Sequence, residues 1–242
     1  GTVNVGREAI AAKAEKFILI STDKAVNPAN IMGASKRIAE MCIRMLSHQK
    51  GTDLAAVRFG NVLGSSGSVV PFFKKQIENG GPVTVTHPEM RRYFMTIPEA
   101  VQLVMEAGAM AHGGEIFVLD MGRPVLIYDL ACDLIRLSGY EPEKDIQIIF
   151  TGLRPGEKLF EEISLANEDV TKTSNNKIYI CKSLGNTEEH LRELLDILWK
   201  HLQDRDEMGA FECVRTLVPT FHHSKFPCDP YGKEASSWNT SA

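Results

Sequence analysis

The stretch Phe17-Ile18-Leu19-Ile20-Ser21-Thr22-Asp23-Lys24 sets four apolar residues directly before four polar ones. A short continuous apolar run reads as a strand buried on both faces, the habit of parallel sheets. Upstream, Val3, Val5, Ala9, Ile10 and Ala12 fall at helical spacing and predict a helix within 2–16. Downstream, Asn27-Pro28-Ala29-Asn30 breaks the chain. Helical spacing then resumes over 32–49 through Ile38, Met41, Cys42 and Met45, and a second apolar strand occupies 54–59. Helix, strand, helix, strand with short links builds parallel β/α units. Open α/β sheets bind ligands outside the carboxyl ends of their strands, so Ser21 to Lys24 stand where chemistry is expected. Asp23 and Lys24 offer an acid/base couple and Thr22 a hydroxyl; the same residues also read as a strand-end turn with a solvated ion pair. Met32 and Lys36, four apart, share one helix face.

Past Gly67 the pattern changes. It predicts a helix over 70–78 entered through Pro71, a strand over 82–86, and a helix to about 110 with Pro98 in its first turn, where the missing N–H costs nothing. Strands at 116–119, 146–150 and 177–181, a helix over 127–137 and a charged helix over 187–203 follow; from Phe221 on, periodicity stops and a loose tail is expected. Three or four parallel strands are too few for a complete doubly wound sheet. The expected fold class is α/β, a parallel sheet remnant followed by a smaller mixed α/β domain, divided as 1–64, 65–218 and 219–242.

The 242 residues carry a net charge of −4, with 43% hydrophobic and 24% charged residues, the composition of a soluble globular protein. Nothing in that balance calls for nucleic acid or an anionic membrane surface. The most apolar stretch, 100–111, is short for a membrane span and carries Glu106. Five cysteines without a CxxC pair read as reduced intracellular thiols, and Cys42 and Cys132 as core residues. Cys213, His222, His223 and Cys228 match no zinc spacing, so no metal site is expected. The chain opens on Gly1 in what reads as mid-helix, without a signal peptide; the expectation is a cytoplasmic piece of a longer protein.

Gly60, Gly64 and Gly67 follow a strand, but their spacing is GxxxGxxG and not the GxGxxG of a dinucleotide loop; a glycine-rich turn is the simpler reading. Arg91 and Arg92 precede an apolar run, and Arg154 precedes a Pro-Gly turn followed by Glu157. Guanidinium forks suit phosphate oxygens, and two such sites can converge on one diphosphate. Each alone also reads as a surface arginine.

Three strings carry a family resemblance: ISTDKAVNPANIMGASKRIAE (20–40), RFGNVLGSSGSVVPFF (58–73), and the pair RRYFMTIPEA (91–100) and RPGEK (154–158). Together they resemble the extended short-chain dehydrogenase/reductases, and within them the CapD-like nucleotide-sugar 4,6-dehydratases of polysaccharide and glycan biosynthesis. The resemblance runs from Gly1 to about Val218. It implies the carboxyl-terminal part of a Rossmann-type doubly wound sheet, with 65–218 as the nucleotide-sugar-binding region and most of the NAD site lying N-terminal to this chain. The family's catalytic Tyr position is here Met32, with Lys36 retained; a thioether cannot take a proton, which leaves Thr22, Asp23 or a bound water as base for the C4 hydroxyl. The resemblance further implies NAD as cofactor, with Lys36 and Ser21 on its side of the site, and a UDP-sugar substrate. Asn61 would meet the sugar nucleotide, backbone at Val70 and Pro71 the uracil, Arg92 and Arg154 the diphosphate, and Glu157 the ribose. Lys24 would remove the C5 proton while Asp23 protonates the departing C6 hydroxyl. A homo-oligomer is expected, with a membrane anchor possible only outside this chain. The alternatives are a C4 or C5 epimerase of the same superfamily and a non-catalytic sugar-nucleotide-binding fragment.

Overall fold

The computed structural model describes residues 1–49, 51–164, 169–182 and 188–222. In chain order these form α1 (Thr2–Ala11), β1 (Lys16–Ile20), α2 (Ile31–Leu46), β2 (Asp53–Arg58), β3 (Asn61–Val62), α3 (Val69–Glu78), β4 (Val83–Val85), β5 (Arg91–Arg92), β6 (Phe94–Met95), α4 (Ile97–Met110), β7 (Ile116–Leu119), β8 (Val125–Leu126), α5 (Ile127–Leu137), β9 (Ile148–Phe150), β10 (Asp169–Lys172), β11 (Ile178–Lys182), α6 (Glu188–Gln203) and α7 (Glu207–Leu217).

Five strands make the main sheet in the order β1-β2-β7-β11-β10. β1, β2 and β7 run parallel, as the β/α units require, whereas β11 pairs antiparallel with β7 and β10 antiparallel with β11. The sheet is therefore mixed, and it takes strands from both sides of residue 64. The strand expected at 146–150 lies outside it: β9 pairs with β4 in a separate two-stranded sheet.

Alternation along β2 divides the core. Leu54 packs with Ile38, Cys42 and Leu46 of α2 and with Leu191 and Leu217 of α6 and α7, while Ala55 and Val57 face Leu103 and Ala107 of α4. Helices thus cover both faces of the parallel strands, which explains their unbroken apolar runs. A second core joins Phe73, Ile77, Val83, Ile127, Ile135 and Ile148 around α3, α5, β4 and β9.

Sequence periodicity passed over α7, yet Asp206 caps it, accepting a hydrogen bond from Gly209 N at 3.0 Å, and Ala210, Cys213, Val214 and Leu217 are spaced to bury one face. The expected loose tail is corrected at its start: Phe221 is buried and meets Phe211 edge-on at 5.5 Å. The rest of the tail, with His223 and Cys228, lies outside the described residues. Cys42, Cys132 and Cys213 are buried, and among the described residues no group of three His, Cys, Asp or Glu side chains is placed to hold a metal.

Candidate active site

At the carboxyl end of β1 the backbone keeps bonding to β2, Ser21 N donating to Val57 O (2.8 Å) and Asp23 N to Phe59 O (3.2 Å). The chain then closes into a single 3-10 turn, Asp23–Ala25. α2 begins against that turn, with Asn30 Oδ1 accepting from Gly33 N at 2.9 Å as its cap. A Cβ on residue 33 would lie 2.2 Å from Lys24 O, so only glycine lets α2 sit this close. Met32 is consequently exposed beside the strand end, and one turn on, Lys36 Nζ donates to Ile20 O at 3.0 Å.

The turn presents a charged cluster. Asp23, 1% exposed, receives bonds on Oδ1 from Thr22 Oγ1 (2.8 Å) and Lys24 Nζ (3.1 Å). Its Oδ2 is buried with no donor among the described residues. Lys24 Nζ also meets Glu161 Oε1 at 2.8 Å and Asn61 Oδ1 at 3.3 Å. Glu161, only 4% exposed in its side chain, further contacts Arg92 Nε through Oε1 (3.2 Å) and Asn61 Nδ2 through Oε2 (3.3 Å). Burial, then hydrogen bonding to Asp23 and its charge, pushes Glu161 up to about 7 against the pull of Lys24. Burial opposes ionisation of Asp23 as well, but bonding to Glu161 and the Lys24 charge prevail and hold its carboxyl below the ordinary range. For Lys24 the cost of burial is outweighed by the two carboxylates, which raise its basicity.

Two cavities adjoin this cluster. One, of about 300 Å³, is polar and lined by Asp23, Lys24, Asn30, Glu161 and the 154–158 turn; the other, of about 350 Å³, is walled by Phe72, Phe73, Phe94, Met90 and the start of α3. Arg92, Arg154 and Glu157 line both. The two arginines differ sharply. Arg92 is spent on the protein, its Nη atoms donating to the carbonyls of Arg91, Lys158 and Leu159 and its Nε facing Glu161. Arg154 is exposed, with no side-chain partner among the described residues; Glu157 Oε2 accepts instead from its backbone N at 3.1 Å. The turn itself rests on the α2 cap, because Gly156, at φ +73°, leaves only 2.7 Å between a would-be Cβ and Ala29 O, and Asn30 Nδ2 donates to Gly156 O at 3.1 Å.

Thus the structure brings together Thr22, Asp23, Lys24, Asn61, Arg92, Arg154 and Glu157 from four separate stretches. Val70 lies in the first turn of α3 and Pro71 is exposed there, next to Ser68 and Val69 on the rim of the apolar cavity. Ser21 turns inward: its hydroxyl donates to Glu40 Oε1 at 2.6 Å. Glu40 is fully buried and pairs two-pronged with the equally buried Arg58, at 2.7 Å for each prong, and with Arg37 at 3.1 Å. Sequence reasoning missed this support and missed Glu161. The available signal was the carboxyl pair Glu161-Glu162 closing the string that starts at Arg154, which as a local pattern is indistinguishable from a solvated face.

A strand-end cluster of charged groups opening onto a two-chambered cleft marks an α/β protein with a candidate site at the carboxyl edge of a Rossmann-like sheet, where such folds place ligands. The chain belongs to the polysaccharide biosynthesis protein family, whose sequence profile matches residues 1–183. It is 58% identical over 203 residues to the capsular polysaccharide biosynthesis protein CapD of Staphylococcus aureus, covering 84% of this chain and 33% of CapD. To the probable polysaccharide biosynthesis protein EpsC of Bacillus subtilis it is 61% identical over 184 residues, or 76% of this chain and 31% of EpsC. The chain therefore spans about a third of the length of these relatives. A UDP-glucose 4-epimerase of Rickettsia massiliae shares 35% identity over 182 residues, 74% of this chain and 52% of its own. Among solved structures, Pen from Bacillus thuringiensis superposes with a TM-score of 0.68 at 34% identity, covering 80% of this chain and 65% of Pen. The fold is also that of the dTDP-glucose 4,6-dehydratase of Streptomyces venezuelae, with a TM-score of 0.57 at 18% identity over 68% of this chain and 55% of that one.

Proposed function

We propose that this chain is the substrate-binding and acid/base part of an NAD-dependent nucleotide-sugar-modifying enzyme of glycan biosynthesis, and that the reaction is 4,6-dehydration of a UDP-N-acetylhexosamine. The observation that carries this reading is the Thr22–Asp23–Lys24 cluster at the strand end, opening onto a cleft lined by Arg154, whose donors have no partner among the described residues. The aromatic chamber suits the base, Arg154 the diphosphate, and the polar chamber the sugar. For the cofactor, the residues present fit the nicotinamide end: Lys36 uses one of its three donors on Ile20 O, and Met32 and Ile20 are exposed beside it. Held there, NAD would supply a hydride acceptor for C4 and a hydride donor for C6.

The residues of this chain handle the protons. Met32 cannot accept the C4 hydroxyl proton. Thr22 can relay it, because its own hydroxyl already donates to Asp23 Oδ1: Thr22 takes the sugar proton as Asp23 takes that of Thr22. Asp23, now neutral, is the acid for the C6 oxygen, which leaves as water, while Lys24 takes the C5 proton acidified by the C4 ketone. Lys24 later returns a proton to C5. The full-length protein incubated with substrate in deuterium oxide should give a product lighter by one water and labelled at C5; a product without label at C5 contradicts the elimination route.

The second reading is 4-epimerisation, the activity named for relatives sharing 35–39% identity. Both reactions begin with oxidation at C4, but epimerisation needs no acid at C6 and leaves the mass unchanged. Mass spectrometry of the product decides between them.

A further inference from the structure

Lys24 poses a chemical problem for this reading. A base at C5 must be neutral, yet Lys24 rests as an ammonium fixed by three acceptors, Glu161 Oε1 (2.8 Å), Asp23 Oδ1 (3.1 Å) and Asn61 Oδ1 (3.3 Å). Loss of its proton to bulk water would take the Lys24 cation away from the Glu161 carboxylate inside a buried site. The shortest of the three bonds ends on Glu161, whose side chain is only 4% exposed. Burial and the nearby charge of Asp23 both oppose ionisation of Glu161, so a proton placed on it is tolerated there.

We propose that Glu161 is the proton store of the site: it accepts the Lys24 ammonium proton across their hydrogen bond, holds it while Lys24 works as base at C5, and hands it back afterwards. This role rests on the dehydratase reading above. The protons balance. After C4 oxidation Asp23 is neutral, Glu161 anionic and Lys24 cationic. Transfer from Lys24 Nζ to Glu161 Oε1 gives an amine beside a carboxylic acid, two neutral groups whose burial costs less than that of an ion pair once Asp23 has given up the charge that held Lys24 protonated. The amine takes the C5 proton as Asp23 protonates the leaving oxygen. Once Lys24 has reprotonated C5, Glu161 returns the stored proton and the resting charges are restored. Glu161 acts through Lys24 and not on the sugar, so it is a positioning and proton-holding residue. The charged groups facing it are Asp23 and Lys24 from the strand-end turn and Arg92 from β5, with Glu157, which meets Arg92 Nη2 at 3.6 Å, on its own segment. Arg92 explains why the store empties again: its guanidinium lies 3.2 Å from the same Oε1 and favours the carboxylate. Burial and Asp23 set the opposing pull, leaving Glu161 near neutrality.

The test compares wild-type full-length protein with Glu161→Gln and Glu161→Asp. Gln keeps an acceptor for Lys24 but cannot take a proton. Glu161→Gln should lower kcat for dehydration, and C5 deuterium exchange with it, by about 100-fold or more while KM stays within about threefold. The rise of kcat through about pH 7 should vanish in the Gln variant and persist in Asp, which should also recover most of the rate. Infrared titration of the full-length protein, without added substrate, should show a protonated-carboxyl band titrating near neutrality that Glu161→Gln removes. A Gln variant within about threefold of wild-type kcat with its pH limb intact overturns the proton store. So does an infrared band that survives the substitution. Should Gln fail to fold, an Asp variant that has lost both the rate and the pH limb overturns it equally. Wild-type product of unchanged mass would instead refute the dehydratase reading, an outcome separate from the infrared result.

Discussion

Gly33 has no room for a methyl group, since a Cβ there would stand 2.2 Å from Lys24 O. Helix propensity alone favours alanine over glycine by about 1 kcal/mol, so the sign of Gly33→Ala is diagnostic. We expect a loss of about 1–3 kcal/mol from overpacking, read by urea unfolding, because α2 and the Asp23–Lys24 turn must part. A stabilised variant would contradict that packing. Glu161 gives a pH signature at the same scale. Its folded pKa, about 7, lies above the ordinary 4.5, so between those values the native state binds more protons than the unfolded chain. Stability contributed by this group therefore falls as pH rises from about 4.5 to 7. The difference in unfolding free energy between wild type and Glu161→Gln, measured across that window, should shift against wild type by at most about 3 kcal/mol. Arg154→Ala should weaken binding of a nucleoside diphosphate sugar by about 10- to 100-fold, the worth of a charge-assisted phosphate contact, with little change in stability since the side chain touches no partner among the described residues.

Among the elements, α2 does two jobs along one buried face, on which Gly33 and Glu40 stand seven residues apart. Its first turn supports the Asp23–Ala25 turn, and its third carries Glu40 into a buried node that ties Ser21 after β1 to Arg58 on β2. Removing one partner of a buried ion pair leaves the other uncompensated, at about 3–5 kcal/mol. Glu40→Ala should cost that much in chemical denaturation, whereas Ser21→Ala should cost only about 1 kcal/mol. Equal effects would mean that the node is not organised around Glu40. The node also explains why Ser21, polar and at a strand end, is unavailable to a ligand in this arrangement.

At the scale of the whole molecule the cleft straddles both cores. Arg92 binds the carbonyls of the 158–159 segment, and Lys158 Nζ reaches across to Val26 O at 2.9 Å, so the β4–β9 region is held against the main sheet by polar contacts around the site. A ligand filling both chambers should stabilise the molecule by about 2.7 kcal/mol at a hundredfold excess over its Kd, seen as a higher Tm with a UDP-sugar than with a free hexosamine. An equal shift with the hexosamine alone would deny the aromatic chamber and Arg154 a part in binding.

The local physics of the chain was enough to set out the parallel β1, β2 and β7 strands, the helices flanking them and the strand-end position of Thr22, Asp23 and Lys24, because unbroken apolar runs and turn breakers act over a few neighbours. It also marked Arg154 and Glu157 through the Pro-Gly turn. Tertiary structure alone decided the rest. The antiparallel β10–β11 addition and the pairing of β4 with β9 depend on partners far away in sequence. Arg92 is a strap and Arg154 a guanidinium without a side-chain partner among the described residues, although both look alike in the sequence, since what separates them is which carbonyls lie within reach. Glu161 reads as one more charge on a polar segment until the fold carries it 137 residues back to Lys24, where burial and a second carboxyl, which no local pattern encodes, give it a proton to hold.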